Sequence, residues 1–310
     1  MKKDLVSIAD LSQEEILSLL EEARWLKKEI QNKRVLNIAF GKMGVLIFEK
    51  PSLRTRVTFE RALQQLGAES IYLSPVDIGL GTRESVPDVA RNLSRWVDCI
   101  IARVFEHEKV TGLAENATIP VINALSDLEH PCQILADILT ILDHYGKLEG
   151  VTIAWVGDGN NVCHSLMLAT GILGINLRVA TPKGFEPNNE IKTKALQFAA
   201  KSGAEFIFTY EAGEAVKDAD FVYTDVWASM GQENEVEQRR QIFRPYQVNQ
   251  SLLSQAKPTV KVLHCLPAHR GEEITDDVLD GPHSIVFDQA ENRLHIQRAI
   301  LAKLLSNAAT

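Results

Sequence analysis

Gly44-Val45-Leu46-Ile47-Phe48-Glu49-Lys50-Pro51-Ser52-Leu53-Arg54-Thr55-Arg56 joins two patterns in one stretch. Residues 44–48 are apolar and rich in β-branched and aromatic types, so they read as a buried strand. Pro51-Ser52 is a turn. Beyond it Phe59, Ala62, Leu63 and Leu66 recur at helical spacing, which puts Ser52 to Arg56 at a helix N-terminus. Free backbone N–H groups and the positive end of the helix dipole meet there. The arginines add planar forks of donors that match phosphate oxygens in pairs. The expectation is an oxyanion site, best suited to phosphate, on a strand-to-helix turn. A capped surface helix with solvated arginines has the same local pattern, so the choice between the two rests on the rest of the chain.

The strand-then-helix order repeats. Further strands are expected at 71–73, 99–102, 121–124, 151–156, 177–180, 205–208, 221–223, 260–263 and 284–287. Helical spacing marks 12–30, opened by the capping box Ser12-x-x-Glu15, a segment capped by Ser85, residues 131–145 and residues 293–305. Alternation of this kind predicts an α/β protein of two domains, each a parallel β-sheet flanked by helices. The first is expected to span 1–145 plus the C-terminal helix 293–310, and the second 146–292, with Gly146 stopping the helix before the change.

At 45% hydrophobic and 24% charged, the 310 residues have globular composition, enough for two ordinary cores. A net charge of −8 without a long basic run argues against nucleic acid as a partner. No apolar run approaches membrane-spanning length, and the start of the chain carries no targeting pattern. Cys99, Cys132, Cys163 and Cys265 are scattered without a CxxC pair, which predicts a reducing cytoplasm rather than a disulfide framework or a structural zinc.

Most of the remaining polar residues of interest also follow predicted strands, where open parallel sheets bind ligands. Arg103 ends an apolar strand, and a half-buried guanidinium needs a partner. His130-Pro131-Cys132-Gln133 opens a helix with Pro in its first turn, either an ordinary cap or a pair of donors aimed at an anion or carbonyl. Gly157-Asp158-Gly159-Asn160-Asn161 follows a strand as a dinucleotide turn does, but Val162 stands where a third glycine belongs. Its two amides suit either a small polar ligand or a turn held by its own side chains. Asp225 supplies a carboxylate for an ammonium group, with Ser229-Met230-Gly231 just beyond it. Cys265 is either a buried inert thiol or a polar contact or proton acceptor in a cleft. Adjacent strand residues point to opposite faces, which argues against a Cys265-His264 nucleophile pair, and His264, Cys265 and His269 lack a zinc spacing, so no metal is expected.

Together these residues resemble the carbamoyltransferase family, and within it the ornithine branch. The resemblance covers nearly the whole chain. Ser52-x-Arg54-Thr55-Arg56 and His130-Pro131-x-Gln133 carry the family pattern. Asp225-x-x-x-Ser229-Met230-Gly231, His264-Cys265-Leu266-Pro267, the turn 157–161 and Ala290-Glu291-Asn292-Arg293 carry the branch. The resemblance implies transfer of the carbamoyl group of carbamoyl phosphate to the δ-amino group of L-ornithine, giving L-citrulline and phosphate. It implies a homotrimer or a multiple of trimers, no metal and no organic cofactor. It places Ser52, Leu53, Arg54, Thr55, Arg103, His130, Gln133, Cys265, Leu266 and Arg293 at carbamoyl phosphate, and Asn161, Asp225, Ser229 and Met230 at ornithine. Arg54, Thr55, Arg103, His130 and Cys265 are the implied catalytic set.

The chain departs from the family pattern at two positions. Leu53 stands where the family often has threonine, and Gly79 stands where many members carry a glutamine that reaches a neighbouring subunit, with Arg83 as a candidate substitute. A sibling transferase acting on putrescine, an acylated ornithine or aspartate, an NAD-dependent dehydrogenase and a non-catalytic binding module are the alternatives.

Overall fold

The computed structural model describes residues 3–228 and 235–307. The chain divides into two compact units, Met1–Leu139 with Glu291–Thr310, and Thr140–Ala290. The helices Pro131–Tyr145 and Val286–Asn307 run across the two dividing points.

The first unit holds β1 (Met43–Phe48), β2 (Glu69–Leu73), β3 (Cys99–Arg103) and β4 (Val121–Leu125), all parallel, in the order β2-β1-β3-β4. β1, β3 and β4 are almost wholly buried, as expected of strands covered on both faces. Val45, Ile47, Ile100 and Ala102 pack on Val89, Ala90, Leu93, Val110 and Leu113. The expected caps form: Ser12 closes a capping box with Glu15, and Ser85 accepts from the Asp88 amide.

The second unit holds β5 (Thr152–Val156), β6 (Asn176–Ala180), β7 (Phe206–Thr209), β8 (Phe221–Thr224) and β9 (Lys261–His264), parallel, in the order β7-β6-β5-β8-β9. The fold is therefore two parallel-sheet α/β units flanked by helices. The strand expected at 284–287 does not form. Ser284 makes one isolated bridge to Val262, and Val286 begins the helix Val286–Asn307. A short apolar run does not distinguish a strand from the buried start of a helix, and Ile285 and Val286 are buried as that start.

In each sheet the strand order reverses direction next to the first strand, between β1 and β3 and between β5 and β8. Crevices at the carboxyl ends of such strands are the usual ligand position. No helix among the described residues is long and apolar enough to cross a membrane.

Candidate active site

In the first unit three neighbouring strands deliver the site. After β1, Ser52 caps the helix Leu53–Gln65, accepting from the Thr55 amide at 3.4 Å and donating to the Thr55 hydroxyl at 3.1 Å. Thr55 is fully buried. Its hydroxyl oxygen also receives Arg293 Nη2 at 2.9 Å and, more weakly, Arg103 Nη1 at 3.5 Å from the end of β3. One hydroxyl has two lone pairs, so donors exceed acceptors around Thr55. Arg293 comes from the helix Val286–Asn307, and His130 from the loop after β4.

His130 is buried, and its pKa lies well below the usual histidine value. Burial is the largest cause, followed by the guanidiniums of Arg293, Arg103 and Arg54. The imidazole is thus neutral near pH 7, within a field of three cations. Such a field is built for an anion, and a neutral N–H beside it can polarise a carbonyl without adding a charge. Gln133, in the first turn of the helix Pro131–Tyr145, donates Nε2 to Asp137 at 2.8 Å. Its Oε1 is buried and accepts no hydrogen bond from the described residues. The site therefore offers donors for oxyanions and, at Gln133, an acceptor for an N–H.

Arg56 lies outside this group. It pairs with Glu60 at 2.9 Å and stacks 3.8 Å from the centre of the Tyr72 ring. Leu53 points into solvent at 75% exposure, so only its backbone can serve a ligand here. Gly79 has φ +55°, and a Cβ there would lie 2.8 Å from Cβ of Arg83. The loop thus favours glycine at 79, both for its positive φ and because any residue with a Cβ at 83 crowds a side chain there.

In the second unit β5, β8 and β9, again neighbours, are followed by Asn160-Asn161, Asp225 and Cys265. Asn160 caps the helix Asn161–Leu173, accepting from Val162 and Cys163 amides, and donates Nδ2 to Asp225 Oδ2 at 2.9 Å. The turn is thus partly held by its own side chain, and Asn161 begins the helix. Gly159 is needed because a Cβ would fall 2.3 Å from the Pro187 nitrogen. The close approach at this turn is to the protein's own chain, which removes the reason to read it as a dinucleotide loop.

Asp225 is buried and accepts from the Cys265 thiol at 2.9 Å. Leu266 follows with φ +56°, and its peptide to Pro267 is cis. Burial pushes the thiols of Cys99 and Cys132 up to about 12, and that of Cys163 well above its ordinary value, so these three are inert. Ser229 and Met230 lie outside the described residues.

Two groups of donors come close enough for a cation, Asp225/His264/Cys265 and His269/Glu272/Glu273, each with atoms within 4.8 Å of one another. In the first, the Cys265 thiol is spent on Asp225, and both His264 nitrogens are engaged, by Glu273 and by the Leu266 amide. In the second, Glu272 pairs with Arg240 at 2.6 Å. A metal at either place has to displace these bonds.

Sequence reasoning named His264 and Asp158 only as members of their motifs, and did not find Glu273 or Arg239. Arg239 donates to Asp158 at 3.0 Å and to the Trp227 carbonyl at 2.8 Å, linking the turn 157–161 to the segment after β8. No local pattern marks partners this far apart.

Comparison with known proteins places these residues in a family. Residues 3–143 match the model of the aspartate/ornithine carbamoyltransferase carbamoyl-P binding domain, and residues 149–304 that of the Asp/Orn binding domain. The chain is 52% identical over 308 residues to an ornithine carbamoyltransferase of Pyrococcus abyssi, covering 99% of this chain and 97% of that one. It is 52% identical over 303 residues to an anabolic ornithine carbamoyltransferase of Pyrococcus furiosus, covering 98% and 96%. A solved ornithine carbamoyltransferase from Pyrococcus furiosus superposes with a TM-score of 0.94 at 53% identity, covering 96% of each chain.

Proposed function

The chain belongs to the aspartate/ornithine carbamoyltransferase family, and from that premise we propose that it transfers the carbamoyl group of carbamoyl phosphate to the δ-amino group of L-ornithine, yielding L-citrulline and phosphate for arginine metabolism. The observation that carries the phosphate half is the buried, neutral His130 set among Arg54, Arg103 and Arg293. The buried acceptor on Gln133 supports a carbamoyl rather than an acyl group, because only the former brings an N–H to it.

Residues 1–145 with 293–310 form the carbamoyl phosphate domain in this reading, and 146–292 the ornithine domain. Ser52, the Leu53 amide, Arg54 and Thr55 hold the phosphate. Thr55, Arg103 and His130 stabilise the carbonyl oxygen as it gains charge in the tetrahedral transition state, and Arg293 supports Thr55. Gln133 takes the carbamoyl amide. Asn161, Asp225, Ser229 and Met230 bind ornithine, while Cys265 and Leu266 orient the reacting amine.

The amine must be neutral to attack. With a lysine-like pKa of roughly 10.4, its neutral form near pH 7 costs about 4–5 kcal/mol. Binding it out of water and in reach of the arginine field lowers that cost. Holding two small substrates in attack geometry supplies much of the remaining acceleration. No step in this scheme calls for a metal or an organic cofactor.

The working form in this reading is a cytoplasmic trimer or a multiple of trimers. The exposed Leu53 and Val57, one helical turn apart, and the edge strand β2 with its half-exposed Ile71 support contact between copies. Arg83, in the loop where Gly79 stands, is placed in this reading to reach a neighbouring copy's phosphate.

The deciding experiment offers carbamoyl phosphate with ornithine, putrescine, acetylornithine, lysine or aspartate. Citrulline from ornithine is expected, with little product from the other acceptors. Transfer only to another acceptor overturns the ornithine half and keeps the phosphate half.

A further inference from the structure

We infer that Glu273 and His264 are a positioning dyad that sets the backbone on both sides of Cys265 and so aims the thiol and Leu266 for the reaction proposed above, on which this inference rests. Both side chains are fully buried. His264 closes β9, and its backbone amide donates to Gln289 Oε1 at 2.9 Å. Its ring is used on both edges. Nδ1 lies 2.9 Å from the Leu266 amide, which can only donate, so Nδ1 carries a lone pair. The ring proton is then on Nε2 and is given to Glu273 Oε1 at 2.9 Å. The carboxylate thus selects one tautomer, and that tautomer is the one that can hold Leu266.

The held residue is strained. Leu266 sits at φ +56°, a conformation that costs a non-glycine residue energy and persists where its surroundings impose it. Cys265, between the two anchored positions, donates to the buried Asp225. Glu273 in turn is fixed from below: its carbonyl accepts the Val248 amide at 2.8 Å, and its Oε1 also accepts the His269 amide at 2.6 Å. No arginine or lysine pairs with this carboxylate among the described residues; beyond His264, the ring nitrogen Nδ1 of His269 stands 3.9 Å from Oε2. Burying a carboxylate with so little compensation is unfavourable for stability alone. It is intelligible where the carboxylate orients an imidazole that orients a reacting loop.

The test compares the intact enzyme with Glu273→Ala and Glu273→Gln, using citrulline kinetics, carbamoyl phosphate affinity and alkylation of Cys265 by iodoacetamide. Glu273→Ala should lower kcat by about 100-fold while carbamoyl phosphate binds within about twofold of wild type. Its Cys265 alkylation rate should change several-fold, a readout to which the three buried cysteines do not contribute. Glu273→Gln should recover most of the loss, because its amide oxygen can accept both bonds. Unchanged kcat and alkylation in Glu273→Ala overturn the inference. So does a loss that extends equally to carbamoyl phosphate binding and that Glu273→Gln fails to recover, since that marks a purely structural carboxylate. Should Glu273→Ala fail to fold, nitrogen NMR of histidine-labelled wild-type enzyme decides: an Nε2-protonated His264 is expected, and an Nδ1-protonated ring overturns the inference. A wild-type chain that makes no citrulline defeats the functional reading instead, and the alkylation and NMR arms still judge the dyad.

Discussion

Arg293 and Thr55, separated by 238 positions in the chain, meet through a 2.9 Å hydrogen bond from the guanidinium to a fully buried hydroxyl. The last helix of the chain thereby completes the first turn after β1. Groups in one network do not act additively. Arg293→Ala and Thr55→Val should each weaken carbamoyl phosphate binding, and the double variant should be less impaired than their sum by about 1–3 kcal/mol. Calorimetric titration of the four proteins measures the coupling, and strict additivity would show that the bond does not organise the site. Arg293→Lys should resemble Arg293→Ala, because an ammonium cannot reproduce the guanidinium fork.

His130 yields a pH prediction. Its folded pKa is depressed below the ordinary 6.5 by burial and by Arg293, Arg103 and Arg54. A depressed pKa contributes stability above the unfolded value and loses it as pH falls toward the folded one. The protein should therefore become less stable as pH drops below about 6.5, and His130→Gln should flatten that limb of the Tm profile. An identical slope in the variant would show that His130 does not titrate as its surroundings dictate.

The Ser52 cap was legible because helical spacing begins at a definite residue, and Arg103 because a charge closes an apolar strand. The parallel sheets followed from alternation. What local pattern does not encode is a partner brought in by the fold. Glu273 lies in an irregular loop, and Arg239 reaches Asp158 across 81 positions. Asn160 and Asn161 look alike in sequence, yet the helix start gives Asn160 the cap and leaves Asn161 in the first turn. Residues 284–287 misled for the opposite reason: four apolar-leaning residues satisfy strand and buried-helix patterns equally.

The Asp158–Arg239 pair predicts a second, opposite pH effect. Burial, opposed by Arg239 and reinforced by Asp225, raises the Asp158 pKa from 3.8 to about 6. A raised pKa favours the protonated form in the fold, so this contribution is complete below pH 3.8 and is lost as pH rises through about 6. Asp158→Asn should keep it at neutral pH and flatten stability between those limits. Arg239→Leu removes the cationic partner of this buried carboxylate and should cost about 3–5 kcal/mol at pH 7. Thermal unfolding across pH checks both, and an Arg239→Leu protein as stable as wild type would refute the pairing.

Gly79 and Arg83 are a coupled choice. Gly79→Gln places a Cβ at φ +55° and 2.8 Å from the Arg83 Cβ. It should destabilise the loop by about 1–2 kcal/mol. Adding Arg83→Gly removes the collision and should recover part of that loss. Hydrogen exchange of the amides from Ser74 to Ser85 reads the effect locally, and equal exchange in the single and double variants would deny the coupling.

Asp225 separates the two substrates. Its carboxylate takes the Cys265 thiol on one oxygen and the Asn160 amide on the other, both at 2.9 Å. Asparagine at this position keeps the volume and the thiol bond but removes the charge and opposes one amide with another. The proposed partner of that charge is an ammonium of ornithine, and a charge-assisted hydrogen bond contributes about 1.5–3 kcal/mol. Asp225→Asn should therefore lower kcat/KM for ornithine by roughly 10- to 150-fold. Carbamoyl phosphate affinity should stay within about threefold of wild type, because the residues proposed to hold it, Ser52, Arg54, Thr55, Arg103 and His130, belong to the first unit and Asp225 to the second. Steady-state kinetics with each substrate varied in turn, together with direct titration of carbamoyl phosphate, make the comparison. A loss shared equally by both substrates would mean that Asp225 holds the fold around β8 rather than the amine.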